Sequence, residues 1–175
     1  GGAIFTNDDA LAHKLRGIVN HGMYERYHHD VVGVNSRLDS VQAAVLNAKL
    51  PLLDQYCNAR QLAASKYSEK LANHKNIITP IVLGDNDSHV FHQYTLRIID
   101  ADRNALMQHL LSKEIPCAIY YPIPLHSQKA YSSPNYNESD FPVTNQLVKE
   151  VISLPMHTEL SDEQIGYICE SILEF

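Results

Sequence analysis

The chain has 175 residues, of which 45% are apolar and 19% charged, and its formal net charge is −6. This composition is typical of globular proteins and excludes wholesale disorder. No apolar run approaches the roughly 18 residues of a membrane-spanning helix. The lysines and arginines are scattered, without the basic face of a nucleic-acid-binding protein. We therefore expect neither a membrane nor a nucleic acid as a partner.

The cysteines indicate a reducing compartment. The sequence has three cysteines, an odd number: Cys57, Cys117 and Cys169. They lie far apart, and none of them belongs to a Cys-x-x-Cys pair. This pattern disfavours both a disulfide framework and structural zinc. The opening residues also lack the pattern of a signal peptide. We expect three free thiols in a cytoplasmic protein.

The first third of the chain predicts three elements. Residues 2–5 are expected to form a short buried strand. The polar residues 6–9 are typical of the start of a helix, and Gly22 is typical of the end of that helix. Residues 23–35 are aromatic, polar and aperiodic, which favours a functional loop.

A long helix is predicted next, from Leu38 to Leu71, because its apolar residues recur at intervals of three and four. Pro51 interrupts the pattern, removing an amide donor and clashing with the preceding turn. We expect a kink over residues 47–50. A helix of this length often bridges two bodies.

Strands and helices alternate after residue 76, which predicts a small α/β sandwich. The expected strands cover residues 77–83, 89–99 and 117–121. The expected helices cover residues 100–113 and a segment opening at residue 140 that includes Val151 and Ile152. Ser161 and Gln164 have the spacing of a capping box for the last helix.

One candidate binding site lies at the start of the long helix. Arg37 and Asp39 flank this start, where free backbone amides can hold an anion and a guanidinium adds a forked donor. The alternative is structural: Asn35 or Ser36 caps the helix, and Arg37 forms a surface ion pair.

A second candidate is the segment 120–126, in which two tyrosines, two prolines and a histidine follow a predicted strand. Such a stiff segment suits the rim of a pocket, although it would equally suit a proline-stiffened crossing of the core. His28 and His29 are adjacent, not at helical spacing, so a metal site with Asp30 is disfavoured. His92 is expected to be a core residue on the apolar face of its strand.

Known nucleotide-binding and nucleophile motifs are absent: the sequence has no Gly-x-Gly-x-x-Gly, no phosphate-binding loop and no serine elbow. Residue patterns alone therefore predict a mixed α/β segment with a long bridging helix, without specifying a reaction.

An ordered set of motifs carries a family resemblance. They are Gly1-Gly2-Ala3-Ile4, Thr6-Asn7-Asp8, Asn20-His21-Gly22, Gly33-Val34-Asn35-Ser36-Arg37-Leu38-Asp39, Tyr121-Pro122-Ile123-Pro124-Leu125-His126-Ser127-Gln128 and Ser153-Leu154-Pro155-Met156. In this order they resemble the C-terminal half of the sugar aminotransferases of the DegT/DnrJ/EryC1/StrS family. Those proteins are fold-type-I enzymes that depend on pyridoxal 5'-phosphate.

The resemblance implies a domain organisation. Residues 1–37 would end the large cofactor-binding domain and form a loop that crosses a dimer interface. Residues 38–73 would be the bridging helix, kinked at Pro51, and residues 74–175 the small C-terminal α/β domain.

The resemblance also implies roles for five residues. Asn35 and Arg37 would contact the cofactor phosphate of the neighbouring subunit in a homodimer. Tyr120, Tyr121 and His126 would line the substrate entrance, although many relatives carry histidine where Tyr120 stands. The substrates would be glutamate, as amino donor, and a nucleotide-linked keto sugar.

The resemblance places the lysine that holds the cofactor upstream of residue 1. None of the eight lysines present matches that position, so the segment is expected to supply no catalytic residue and to be inactive alone. The alternative is a non-catalytic binding or regulatory module derived from the same family. A thiol or metal enzyme has little support from the scattered cysteines and histidines.

Overall fold

The computed structural model of the protein describes residues 2–85 and 88–175. The chain divides into two compact units, Gly1–Leu52 and Leu53–Phe175. Both contain helices and antiparallel strands, so the expected mixed α/β class is confirmed.

The first unit contains two helices and a hairpin. Helix α1 (Asp9–Val19) begins after Asp8, whose carboxylate accepts a hydrogen bond from the Leu11 amide at 3.0 Å. Strands β1 (Met23–Glu25) and β2 (His28–His29) pair antiparallel. Helix α2 is Ser40–Lys49.

Two expectations for this unit are wrong. Residues 2–5 form no strand: Phe5 is 91% exposed, and no described strand pairs with this segment. The segment 23–35 is not irregular throughout, because it contains the β1–β2 hairpin. The alternating pattern of a strand is not recognisable in the sequence, because the two strands have only three and two residues.

The predicted long helix is interrupted. Helix α2 is followed by a 3-10 turn, Leu50–Leu52, and then by helix α3 (Leu53–Leu71). Pro51 lies in the turn, where its ring cannot supply the amide that an α-helix requires.

The second unit contains a three-stranded antiparallel sheet. Strands β3 (Ile77–Ile78), β4 (Tyr94–Ile98) and β5 (Val151–Leu154) lie in the order β3-β4-β5. The strands predicted over residues 77–83 and 89–99 are therefore too long. Phe91 has a φ of 45°, which no strand accommodates, so β4 starts only at Tyr94.

The strand predicted over residues 117–121 is also wrong. It is reduced to a single antiparallel bridge between Ala118 and Ser153. That bridge still joins the segment to the β5 side of the sheet through two backbone hydrogen bonds of 3.1 and 2.7 Å.

Three further helices complete this unit: α4 (Arg103–Ser112), α5 (Pro142–Glu150) and α6 (Asp162–Leu173). The capping box predicted for α6 is confirmed: the Ser161 hydroxyl accepts from the Gln164 amide, and the Gln164 side chain accepts from the Ser161 amide. Helices α3, α4 and α6 contribute to one core with β4 and β5, and its buried apolar members are Ala63, Ala64, Tyr67, Leu71, Phe91, Tyr94, Leu96, Ile98, Leu106, Leu110, Ile115, Ile152, Leu154, Ile165, Ile168, Cys169 and Ile172.

Val151 and Ile152 belong to β5 and not to the preceding helix, which corrects the sequence-based boundary. The cause is tertiary. Ile152 pairs with Leu96 of β4, and the buried Arg103 guanidinium donates to the carbonyls of Val148 and Val151 at 3.2 and 2.6 Å. These carbonyl groups at the end of α5 accept hydrogen bonds from Arg103, and the helix ends as the chain enters the sheet.

Candidate functional site

The segment carrying Asn35 and Arg37 is fixed to the end of α1 by backbone contacts. The amides of Val34 and Ser36 donate to the carbonyls of Ile18 and Val19 at 2.8 and 2.9 Å. Gly33 allows this approach: a Cβ there would lie 2.5 Å from the Ile18 oxygen and 2.1 Å from the Gly22 nitrogen. The segment therefore has a defined path on which Asn35 and Arg37 are displayed.

Asn35 and Arg37 form an exposed polar pair. The Arg37 Nε donates to the Asn35 side-chain oxygen at 3.1 Å, and both residues are exposed. Arg37 forms no ion pair within residues 2–85 and 88–175. The structural alternative therefore fails for Arg37, because its partner is an amide and not a carboxylate.

Helix α2 begins at Ser40, three residues after Arg37, and is not capped as the alternative expected. Its N-cap is Asp39, not Asn35 or Ser36, and the Asp39 side chain makes no capping hydrogen bond. The first-turn amides therefore have no side-chain acceptor from their own cap. Together with a guanidinium whose remaining donors have no described partner, this chemistry fits a phosphate or carboxylate.

The neighbouring histidines are not grouped with further metal-ligating side chains in the described part of the chain. His28 and His29 lie in β2, and the His29 Nδ1 lies 2.8 Å from the His21 carbonyl oxygen. No group of three histidine, cysteine or acidic side chains able to hold a metal occurs among the described residues.

Tyr120 and Tyr121 line a largely apolar groove in the second unit. They are 45% and 72% exposed and are joined by a cis peptide bond. The groove has a volume of about 460 Å³, and its opposite wall is the end of α5 and the start of β5, with Leu147, Val148 and Val151. The pocket-rim interpretation therefore describes these two tyrosines better than a core crossing.

His126 is not in the same groove as the two tyrosines. It lines an adjoining cavity of about 470 Å³ with Tyr131, Tyr136 and Phe141, and its ring stacks on Phe141 at 4.4 Å. Its Nε2 is buried and has no hydrogen-bond partner in the described part of the chain. Leu125 and Thr144 line both cavities, so the two adjoin.

Tyr120 also borders a third cavity of about 310 Å³, on which His92, Gln93 and Cys117 lie. The expectation that His92 is a core residue is wrong: it is exposed and lies outside β4. Gln93 was not among the predicted site residues. The pairing of the following strand with β5, which brings His92 and Gln93 to this cavity, is visible only in the structure.

Cys117 and Cys169 are not activated nucleophiles. Burial raises the pKa of the Cys117 thiol, and it raises that of Cys169 to about 11. A thiol with a raised pKa stays protonated near neutral pH and is a poor nucleophile. The two residues act as packing groups, with Cys169 in the core.

No helix within residues 2–85 and 88–175 has the length and apolarity needed to cross a bilayer.

The chain is similar to proteins of one known family over almost its whole length. The model of the DegT/DnrJ/EryC1/StrS aminotransferase family matches residues 1–173. A pleiotropic regulatory protein of Geobacillus stearothermophilus is 43% identical over the whole chain and 47% of its own length. UDP-N-acetyl-3-dehydro-alpha-D-glucosamine 3-aminotransferase of Acidithiobacillus ferrooxidans is 42% identical over 98% of the chain and 45% of its own length.

A third relative, UDP-2-acetamido-2-deoxy-3-oxo-D-glucuronate aminotransferase of Pseudomonas aeruginosa, is 41% identical over 98% of the chain and 46% of its own length. The chain thus spans just under half the length of these relatives.

Solved structures match over the same extent. DesV of S. venezuelae, solved in complex with a ketimine intermediate, superposes with a TM-score of 0.89 at 33% identity, covering 97% of the chain and 45% of DesV. NtdA of Bacillus subtilis, solved with bound PMP, superposes with a TM-score of 0.85 at 23% identity, covering 97% of the chain and 40% of NtdA. The second likeness concerns the fold alone.

Proposed function

Because the chain belongs to the DegT/DnrJ/EryC1/StrS aminotransferase family, we propose that it is the C-terminal part of a pyridoxal-phosphate-dependent sugar aminotransferase. The intact enzyme would move an amino group from glutamate to a nucleotide-linked keto sugar. The observation that carries this proposal is the family match over residues 1–173, together with two aminotransferases of UDP-sugars at 41% and 42% identity.

In this proposal residues 1–37 are the end of the large domain. Residues 38–73 form the helix that bridges the two domains, and residues 74–175 form the small domain. Asn35 and Arg37 hold the cofactor phosphate of the partner subunit in a homodimer. The exposed guanidinium and the uncapped start of α2 support this role, because both favour an anion.

Tyr120, Tyr121 and His126 would bind the substrate. The tyrosines supply the exposed rim of one groove, and His126 supplies a buried imidazole nitrogen in the adjoining one. When bound, the cofactor would carry the amino group between the two substrates. The residues of this segment position and enclose the substrate.

We further propose that residues 1–175 alone are inactive. In the family pattern the lysine that holds the cofactor lies upstream of residue 1, and transamination needs that amine. Asn35 and Arg37 supply only part of a phosphate site, so the segment should bind pyridoxal phosphate weakly.

The test uses the full-length native chain. It should show the visible absorbance of a bound pyridoxal cofactor, and borohydride should attach the cofactor covalently to one lysine, located by peptide mass. Glutamate and a nucleotide-linked keto sugar should then give the amino sugar. If borohydride labels no lysine, the proposal is wrong.

A second candidate function is a non-catalytic regulatory module. The observation that favours it is the name of the relative at 43% identity, a pleiotropic regulatory protein. This alternative predicts a full-length chain that borohydride leaves unlabelled, so the same experiment separates the two.

A further inference from the structure

The cavity beside Tyr120 carries two polar side chains that the proposed reaction has not used, His92 and Gln93. We propose that these two residues bind the hydroxyl groups of the sugar ring and so determine which keto sugar is accepted. This inference rests on the proposed function and adds a specificity site to it.

The fold directs both residues to this cavity. The positive φ of Phe91 turns the chain out of the strand conformation, and β4 resumes at Tyr94, a fully buried core residue. His92 and Gln93 are therefore held between two anchored aromatic side chains. Neither makes a side-chain hydrogen bond to another described residue, so their polar atoms are available to a ligand.

The part of the cavity lining that comes from β5 and the residues after it is also well anchored. Ser153 of β5 pairs with Thr95, and their hydroxyls are 2.8 Å apart. The Tyr67 hydroxyl donates to the Pro155 carbonyl at 3.0 Å, which fixes the chain just after β5. A cavity with both parts of its lining fixed can discriminate between ligands by the position of their hydrogen-bonding groups.

The lining chemistry fits a sugar ring better than a diphosphate. No lysine, arginine or carboxylate lines the cavity within the described part of the chain, so a diphosphate would have no full countercharge there. An amide, an imidazole and a phenol can each both donate and accept a hydrogen bond. Sugar hydroxyls require that combination, because each of them also donates and accepts.

Tyr120 connects this cavity to the groove proposed for substrate. Its side chain lines both the polar cavity with His92 and the apolar groove with Tyr121. A sugar that touches Tyr120 is therefore next to His92. The imidazole of His92 and the phenol of Tyr120 can therefore contact the same sugar ring.

The experiment uses the full-length enzyme and measures its two half-reactions separately. His92→Ala and Gln93→Ala should each raise KM for the keto sugar about tenfold, the effect of about 1.4 kcal/mol per lost hydrogen bond. They should leave the glutamate half-reaction and the melting temperature unchanged. His92→Gln keeps a donor and an acceptor and should recover most of the loss.

Two matched variants control for the loss of a surface imidazole or amide. His157 is exposed on the loop after β5, and Gln108 is exposed on α4. His157→Ala and Gln108→Ala should leave both half-reactions unchanged.

Each outcome has a separate meaning. If the wild-type enzyme does not aminate any keto sugar, the proposed function is wrong. If it is active and both alanine variants keep KM within twofold, the sugar-binding role is wrong. If both half-reactions or the melting temperature fall together in these variants, His92 and Gln93 support the fold, which also overturns the inference.

Discussion

Gly33 shows how one residue can determine the path of the anion-binding segment. An added Cβ would meet backbone atoms of Gly22, Ile18 and His21 at 2.1 to 2.7 Å, and backbone cannot rotate away as a side chain can. Gly33→Ala should therefore lower the free energy of unfolding by about 1–3 kcal/mol, measured by urea denaturation followed by circular dichroism.

The control is Gly166→Ala in helix α6, where a Cβ would meet nothing within 4 Å. It should be neutral or stabilising by up to about 1 kcal/mol, since alanine favours a helix over glycine. Equal stability of Gly33→Ala and wild type would show that the segment does not need its close approach to α1.

Glu150 gives a pH-dependent prediction. The hydrogen bond from Gln146 holds the pKa of the Glu150 carboxyl below its usual range, and Arg97 contributes a further hydrogen bond and an opposite charge. The Arg97 Nη2 atom lies 2.8 Å from the Glu150 Oε2 atom. A carboxyl whose pKa is lowered by folding stabilises the folded state above its unfolded pKa of about 4.3.

Glu150→Gln should therefore be less stable than wild type at pH 7, by up to about 1 kcal/mol for a partly exposed ion pair. The difference should close as the pH falls below about 4.3 and through the lower pKa of the folded state. Denaturation at a series of pH values measures it. Glu159→Gln, at a residue without a described ion pair, should show no such convergence.

At the level of elements, Arg103 joins helix α5 to strand β5. Its side chain is only 9% exposed, and its guanidinium holds the carbonyls of both Val148 and Val151. Arg103→Met leaves these carbonyls without that donor and should cost about 2–3 kcal/mol of unfolding free energy. Arg97→Met, which breaks a half-exposed ion pair, should cost less than about 1 kcal/mol; similar costs would refute the special role of Arg103.

Local patterns predicted the elements whose causes are local. The α6 capping box needs only Ser161 and Gln164 at a fixed spacing, and both bonds form. The end of α5 depends on Arg103, about 45 residues earlier in the chain. The apolar period does not contain this contact, so it wrongly assigned Val151 and Ile152 to the helix. His92 was misassigned similarly, because alternation could not reveal the positive φ at Phe91.

The candidate site shows the same division. The chemistry at Arg37 was visible from a basic residue next to a helix start. The true cap, Asp39, and the bond from Arg37 to Asn35 are visible only in the structure. The separation of His126 from Tyr120 and Tyr121 was not visible either. The motif is continuous in sequence, but the 3-10 turn Leu125–Ser127 directs His126 into the adjoining cavity.

At the scale of the whole molecule, helix α2 presents an apolar surface without a described cover. None of its residues is buried, and Val41, Val45 and Leu46 are 77%, 53% and 54% exposed. Exposed apolar patches of this kind mark interaction surfaces. Since the relatives are about twice as long, we expect the rest of the full-length chain to cover this surface.

Residues 1–175 expressed alone should therefore self-associate at micromolar concentration, as measured by light scattering over a dilution series. The double variant Val41→Glu/Val45→Glu should be mainly monomeric without a lower melting temperature, because both residues lie on the uncovered helix. In the full-length enzyme the same double variant should lower stability, since two carboxylates would be buried without partners. A monodisperse wild-type segment would show instead that the α2 surface tolerates water and needs no cover.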